Sequence, residues 1–310
     1  MRQSLSISCK QAGVPLINLV NAYYSPYAHQ PYELGEHPLV HVVSDKIMDP
    51  IFPVIAPLSF ACHTLPLNIT RLWYGQGLAG FKLHHEFIYG DYNLYCDIPD
   101  LVPTEPLPAH HQFIGPLLWS PDMVKPPWWN QMPTDKPIIY VGLGSSGASQ
   151  ILPIAMAALA DMPVYAIVAT AAADAPVDWP KNVFAAPYLP GADACERADV
   201  VVCNGGSTSG QQSLAAGTPF LGVASNIDQV MFSRLAARQG AGLLLKEHHV
   251  NVSTMREAIA TLLSGSTYQT AAKRMQEAIR VWKPEAHFRR LITSILNGAG
   301  GIVHDSSDAI

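Results

Sequence analysis

The 310-residue sequence has few charged residues, and this shortage restricts what the protein can be. Only 14% of the residues are charged and 49% are hydrophobic, which excludes a disordered chain and indicates a sizeable buried core. The net charge of −5 comes without any cluster of lysine or arginine, so we expect no binding to nucleic acid. The length favours two domains.

Cysteine and uninterrupted hydrophobic runs are also scarce. The five cysteines are widely spread without a C-x-x-C pair, which is typical of reduced thiols in a cytoplasmic protein. The first ten residues lack the apolar stretch of a signal peptide. Segment 51–67 is apolar but contains three prolines, and it falls short of the roughly 20 apolar residues of a spanning helix. We expect a core or cleft-lining segment there, without stable membrane insertion.

Beyond residue 137, short apolar runs alternate regularly with amphipathic stretches. The runs predict strands at 138–141, 164–168, 200–203, 220–223 and 242–245. The stretches predict helices at 148–160, 207–217 and 228–239. This alternation is typical of an α/β fold with a parallel sheet that is covered on both faces. A capping-box pattern at Thr254–Glu257 predicts the start of a further helix, and Pro284 predicts the start of the last one, through Leu296.

Residues 1–120 are less regular. They predict a helix at 4–12 and strands at 15–20, 94–96 and 112–114. Three strands are too few for a complete doubly wound domain, so we expect the first domain to be incomplete. The prolines between 121 and 137 indicate a linker to the second domain.

Two glycine-rich turns follow predicted strands. The sequence N-G-G-S-T-S-G at Asn204–Gly210 lies between a buried strand and a helix, where free amides and the helix dipole can bind an anion. A second turn, G-L-G-S-S-G at 142–147, ends another strand, and turns at the carboxyl ends of one parallel sheet can face one crevice. A phosphate site is the natural interpretation, and a structural turn without a ligand is the alternative.

The order of these motifs resembles the nucleotide-sugar-dependent glycosyltransferases of the GT-B fold, specifically the UDP-glycosyltransferases and macrolide glycosyltransferases. The family pattern H-G-G-x-G-T-x-x-E-A-L-x-x-G-x-P aligns without a gap to 204–219, and D-Q-x-x-N-A aligns to 228–233. Segments 182–190 and 140–146 resemble the family's base-binding segment and its strand with a G-S turn. The resemblance implies two Rossmann-like domains that face a cleft, the first one incomplete.

Three positions depart from the family pattern. Asn204 replaces the histidine that donates to a donor phosphate, Thr208 replaces a glycine, and Gln212 replaces the glutamate that holds the ribose hydroxyls. Neutral amides still form hydrogen bonds but lack the charge that makes such bonds stronger. The donor is therefore expected to bind more weakly, or to carry a different nucleotide.

The resemblance also implies the domain boundaries and the site. A partial acceptor domain at 1–124 is followed by a donor domain at 125–283, and by a crossing helix with a loose tail at 284–310. The donor-binding residues would be Gly144, Ser145, Ser146, Tyr188, Leu189, Asn204, Gly205, Gly206, Ser207, Thr208, Ser209, Gln212, Asp228 and Gln229. Asp228 and Gln229 would contact the sugar; alternatively, Asn226 or Asp228 only caps a helix. We expect no metal ion and no cofactor beyond the nucleotide sugar.

The catalytic base of the family would lie in an N-terminal segment that this chain is expected to lack. Histidine is the side chain best suited to base catalysis near neutral pH. The substitutes to consider are His63, His84, His85, His110 and His111. The adjacent pairs are expected to point their rings apart if they lie in strands, which does not favour a metal site.

Three functions remain open at this point. The first is a metal-independent, inverting transfer of a hexose from a nucleotide diphosphate sugar, expected to be a UDP-sugar, to a hydroxyl of a small apolar acceptor. The second is a catalytically silent, truncated paralogue that binds a nucleotide sugar, a partner chain or a second copy. The third, disfavoured by the D-Q match, is a nucleotide-sugar epimerase. In each case the last helix is expected to contact residues before 120.

Overall fold

The computed structural model describes residues 4–29, 33, 35, 40, 42–82, 84–88, 90–171 and 179–297, without the side chains at 86 and 145–149. These residues form two compact units. The first unit comprises Met1–Tyr32, Asp45–Leu117 and Val281–Ile310, and the second comprises Glu33–Ser44 and Leu118–Arg280.

Helices and strands alternate along most of the chain. The strands are β1 Ile17–Val20, β2 Tyr92–Tyr95, β3 His111–Phe113, β4 Ile138–Gly142, β5 Tyr165–Ala169, β6 Val183–Ala186, β7 Val200–Cys203, β8 Phe220–Ala224 and β9 Gly242–Lys246. The α-helices are α1 Ser4–Ala12, α2 Asp45–Trp73, α3 His84–Phe87, α4 Gly144–Ala160, α5 Gly191–Arg197, α6 Ser207–Ala215, α7 Ile227–Arg238, α8 Val252–Leu263, α9 Thr267–Arg280 and α10 Pro284–Leu296. The fold class is therefore α/β, as the sequence predicts.

The first unit contains a small parallel sheet in the order β1-β2-β3. Its three strands lie where the apolar runs predict them, and their ends are shifted by no more than two residues. Leu291 of the final helix α10 packs against Leu94 and Ile114 of this sheet region. The expectation that the last helix contacts residues before 120 is confirmed.

The second unit contains a six-stranded sheet in the order β6-β5-β4-β7-β8-β9, with all neighbours parallel. The strands predicted for this unit are confirmed. Strands β4, β7 and β8 are buried on both faces, and for this reason their sequences are continuous apolar runs. Strand β6 was not predicted. It lies at the sheet edge with half-buried residues only, so it lacks the apolar run that marks its neighbours.

The N-cap of helix α8 lies three residues before the predicted cap. Asn251 is the N-cap, because its side chain accepts from the Thr254 amide at 3.0 Å. The Thr254 hydroxyl in turn accepts from the Asn251 amide at 3.0 Å, which completes a capping box without Glu257. Glu257 instead accepts from the Ser253 hydroxyl at 2.8 Å. The expected cap at Thr254 is therefore wrong.

Segment 51–67 lies inside the 29-residue helix α2, and this corrects our expectation about its length. By length and composition α2 could cross a membrane, and 28% of its most apolar window is buried. The prolines do not end the helix, although each removes one backbone donor. The buried stripe includes Ala56, Phe60 and Leu67, so the segment is a core element on one face only.

Candidate functional site

The turn after β7 requires glycine at position 205. Gly205 has a φ of +74°, and a Cβ atom there would lie 2.3 Å from Oγ of Ser233. The Ser233 hydroxyl donates to the Gly205 carbonyl at 3.1 Å and so fixes the turn from below. The sharp turn that the glycine-rich motif predicts is present, and α7 supports it.

The start of α6 is open to solvent. Its N-cap is Gly206, which has no side chain to bond the amides of the first turn. Thr208 is exposed, and Ser207 and Ser209 are half-buried. Amides at a helix start, with the dipole behind them, are groups that can bind an anion. This geometry is compatible with the phosphate site that the sequence predicts, and we call residues 204–209 the phosphate turn after that prediction.

The two glycine turns lie next to each other because β4 and β7 are neighbouring strands. Gly144 has a φ of +68°, and a Cβ atom there would lie 3.4 Å from Nδ2 of Asn204. Oδ1 of Asn204 accepts from the Gly206 amide at 3.2 Å. Asn204 therefore lies between both turns, whereas the side chains of Ser145 and Ser146 lie outside the described residues.

The first turn of α7 carries the Asp228–Gln229 pair. Asn226 is the N-cap and accepts from the Gln229 amide at 3.0 Å, so the capping role belongs to Asn226. Oε1 of Gln229 accepts from the amide and the hydroxyl of Ser225, at 2.8 and 3.0 Å. Asp228 is half-buried at the carboxyl end of β8, next to β7. The pair is held at the same edge of the sheet as the phosphate turn.

Gln212 has a backbone partner outside α6. Its side-chain amide donates to the carbonyl oxygen of Trp119 at 2.6 Å. Both residues line a cavity of about 240 Å³ between α5, α6 and the segment before the linker, together with Ser120 and Glu196. Nothing in the sequence pattern indicated Trp119 or Glu196, because neither belongs to a motif.

The predicted base-binding segment, 182–190, contains β6 and the four residues that follow it. Leu189 is buried, whereas 58% of the Tyr188 surface is exposed. The backbone of this segment leads directly into α5, which begins at Gly191. Oε1 of Gln212 lies 2.9 Å from where a Cβ atom of Gly191 would be, so the segment lies close to Gln212.

Cys203 lies directly beneath the phosphate turn. Burial raises the pKa of its thiol to about 12, although the bond from the Gly205 amide, at 3.4 Å, opposes this shift. The thiol therefore stays protonated near neutral pH, which excludes Cys203 as a nucleophile. Its role is to fill the core below the turn.

The candidate histidines of the first unit have different surroundings. Burial, assisted by His110, lowers the pKa of His111 to about 4, and its Nδ1 lies 2.6 Å from the Tyr95 hydroxyl. Burial, then His85 and Lys82, lowers the pKa of His84 to about 4. His63 and His110 are exposed. His111 belongs to a buried hydrogen-bond network, which leaves its ring nitrogens poorly placed to deprotonate a substrate.

The rings of the adjacent histidines do not point apart as expected. The ring centroids of His84 and His85 lie 4.1 Å apart, and those of His110 and His111 lie 4.5 Å apart. The expectation assumed strands, but the first pair lies in α3 and only His111 of the second pair lies in β3.

Comparison with known families finds a similar domain for a large part of the second unit. Residues 154–287 match the erythromycin biosynthesis protein CIII-like C-terminal domain. This part of the chain is therefore similar to that domain family. The matched residues contain β5 to β9 and therefore both the phosphate turn and the Asp228–Gln229 pair.

Longer relatives occur in mycobacteria. A PGL/p-HBAD biosynthesis glycosyltransferase of Mycobacterium tuberculosis is 44% identical over 277 residues, which are 89% of this chain and 65% of the relative. A PGL/p-HBAD biosynthesis rhamnosyltransferase of Mycobacterium bovis is 41% identical over 278 residues, 90% of this chain and 62% of the relative. An inactive PGL/p-HBAD biosynthesis glycosyltransferase of Mycobacterium bovis is 44% identical over 158 residues, 51% of this chain and 43% of the relative. The chain thus spans less than two thirds of the length of these relatives.

Solved structures show the same fold. Spinosyn forosaminyltransferase SpnP has a TM-score of 0.67 at 15% identity, over 95% of this chain and 74% of its own. Spinosyn rhamnosyltransferase SpnG complexed with thymidine diphosphate has a TM-score of 0.56 at 22% identity, over 67% of this chain and 60% of its own. The fold that the motifs predict, that of the GT-B glycosyltransferases, is confirmed.

Proposed function

We propose that the protein is a glycosyltransferase that moves a hexose from a nucleotide diphosphate sugar to a hydroxyl of a small apolar acceptor. The transfer is inverting and needs neither a metal ion nor a resident cofactor. The names of the mycobacterial relatives support the reaction class. The widely spread cysteines without a C-x-x-C pair support a cytoplasmic location.

The observation that carries this proposal is the open start of α6 beside the second glycine turn. The amides of 207–209 would bind the diphosphate, and Asn204 would donate from Nδ2 between the two turns. Negative charge grows on the diphosphate as the bond to the sugar breaks. Amides that are already oriented toward this charge stabilise the transition state more than the ground state.

The nucleoside would lie beyond the diphosphate, toward Tyr188, Leu189 and Gln212. Gln212 is neutral and one of its two amide hydrogens already bonds to Trp119, so it offers the ribose its amide oxygen and one remaining N–H. A nucleotide whose sugar lacks one hydroxyl should therefore lose little binding affinity at such a site. We therefore include a thymidine nucleotide, which a structural neighbour binds, beside the expected UDP.

A second function follows from the same departures. A chain with Asn204 and Gln212 in place of a charged pair can retain nucleotide binding without turnover, alone or with a partner chain or second copy. The inactive mycobacterial relative, which matches about half of the chain, supports this alternative. Transfer of radiolabelled sugar from UDP-glucose or dTDP-rhamnose to hydroxyl acceptors distinguishes the two functions.

Amide hydrogen exchange with and without UDP or dTDP tests the donor site. We expect protection at 205–209 and at 187–190 in the presence of one of the nucleotides. The variant Gly206→Val should abolish the protection by crowding the backbone that approaches phosphate. Gly206 has a φ of −72°, and a Cβ atom there would meet nothing closer than 3.4 Å, so the turn itself tolerates a side chain.

The control is Ala260→Val, an exposed position of α8 that lies outside the site in the same unit. This control should retain the protection. If neither nucleotide changes the exchange of the wild-type protein, the turn is purely structural and the proposed function is wrong.

A further inference from the structure

A short segment from the early part of the chain packs on α7 near the Asp228–Gln229 pair. Glu33 and Arg234 form two hydrogen bonds, from Nε to Oε1 and from the second guanidinium nitrogen to Oε2, both 2.7 Å long. The Glu33 side chain is only 13% exposed. Bidentate, charge-assisted bonds of this kind are among the strongest and most directional in proteins.

Two residues further on, the same segment touches the start of the helix. Gly35 is buried, and a Cβ atom there would lie 2.8 Å from the carbonyl carbon of Asn226 and 3.1 Å from the amide of Ile227. Any side chain at this position would displace the N-cap. The backbone at Gly35 therefore rests directly on the first peptide of α7.

The helix geometry links the two contacts. Ile227 and Arg234 are seven residues apart, so they lie on the same face of α7, about 10 Å apart along its axis. Glu33 and Gly35 are two residues apart, so the chain between them reaches at most about 7 Å, and the long Arg234 side chain can cover the rest. The ion pair thus holds one end of the segment while Gly35 contacts the cap at the other.

The cap in turn controls the residues proposed to bind sugar. Asn226 accepts from the Gln229 amide, and Gln229 accepts from Ser225, so a shift of the 226–227 peptide moves the Asp228–Gln229 turn. We propose that Arg234 is a positioning residue. Through Glu33 it holds Gly35 against the start of α7 and fixes Asp228 and Gln229 for the sugar of the donor. This inference rests on the proposed function.

The test compares the nucleotide with the nucleotide sugar by calorimetry, using UDP with UDP-glucose and dTDP with dTDP-rhamnose. The variants are Arg234→Met and the charge exchange Glu33→Arg with Arg234→Glu. The control is Arg238→Met, an exposed arginine one turn further along α7. In Arg234→Met the Kd of the nucleotide sugar should rise about three- to tenfold, whereas the Kd of the nucleotide alone should change less than twofold. The charge exchange should restore most of the lost affinity.

A second measurement separates positioning from general destabilisation. In Arg234→Met the amides of Gln229 and Val230 should exchange faster, while those of β7 keep their protection. The inference is overturned if the nucleotide sugar and the nucleotide weaken by the same factor, or if exchange at 229–230 is unchanged. If the wild-type protein binds no nucleotide, the proposed function fails and this inference with it. If the wild-type protein binds nucleotide but Arg234→Met shows no selective loss of affinity for the nucleotide sugar, only this inference is overturned.

Discussion

Gly205 of the phosphate turn packs directly against Gly222 of β8, and a Cβ atom on Gly222 would lie 3.0 Å from the Gly205 Cα. Ser233 lies against both, since such a Cβ atom would also lie 2.1 Å from its hydroxyl oxygen. There is therefore no room for a further side-chain atom between the loop after β7, the strand β8 and the helix α7. This packing couples the position of the phosphate turn to the helix that carries Asp228.

Replacement of Gly205 by alanine should be strongly destabilising. The variant combines an unfavourable φ with the 2.3 Å contact to Ser233, whereas Gly265→Ala has a similar φ of +82° and open space. We expect a loss in free energy of unfolding of about 1 kcal/mol for Gly265→Ala and about 3 kcal/mol for Gly205→Ala, by urea denaturation. Equal losses would show that Ser233 moves aside without cost.

Gln212 offers a test of nucleotide choice. A carboxylate at this position cannot donate to Trp119, but it can accept from both ribose hydroxyls. In Gln212→Glu the ratio of the dTDP Kd to the UDP Kd should therefore rise about tenfold, as expected for one charge-assisted bond. Calorimetry gives both constants, and Gln212→Ala should leave the ratio unchanged. An unchanged ratio in Gln212→Glu would place the ribose away from Gln212.

The buried parts of the fold could be predicted from the sequence. Strands β4, β7 and β8 are continuous apolar runs because helices cover both faces of their sheet. The edge strand β6 could not be recognised, since half-buried residues carry no such run. The prolines of α2 were misleading because they pack within an intact helix.

The site was predictable where backbone geometry determines the residue. Glycine at 205 follows from a turn that no side chain fits, so the motif identified it. The contacts of Trp119 with Gln212 and of Glu33 with Arg234 join residues 93 and 201 positions apart. Such pairs depend on the tertiary fold and leave no local pattern in the sequence.

Helix α2 presents very different environments on its two faces. Leu58 is 73% exposed, whereas Phe60 is 7% exposed in the core of the first unit. Leu58→Ser should change the free energy of unfolding by no more than about 0.5 kcal/mol, and Phe60→Ala should lower it by about 3 kcal/mol, measured by urea denaturation. A loss of similar size for Leu58→Ser would show that this face is covered in solution.

Low pH should destabilise the first unit through His111 and His84. The pKa of His111 is lowered to about 4, mainly by burial, from a value of 6.5. Between these values the unfolded chain binds a proton that the folded protein does not, so stability is present above pH 6.5 and is lost as the pH falls toward 4. The pKa of His84 is also lowered to about 4, mainly by burial, so His84 changes the stability in the same direction.

Because His111 is harder to protonate in the folded protein, it should lower the free energy of opening of β2 by about 1–2 kcal/mol between pH 7 and pH 5. Hydrogen exchange of the Asn93 and Cys96 amides, corrected for intrinsic rates, measures it, because both bond within this sheet region. His111→Gln should be less stable at pH 7, where the bond to Tyr95 is lost, but should show a smaller pH dependence. The exposed His63→Gln should keep the full wild-type dependence. If the slope with pH is the same in His111→Gln and the wild type, the buried imidazole does not control the acid sensitivity of this unit.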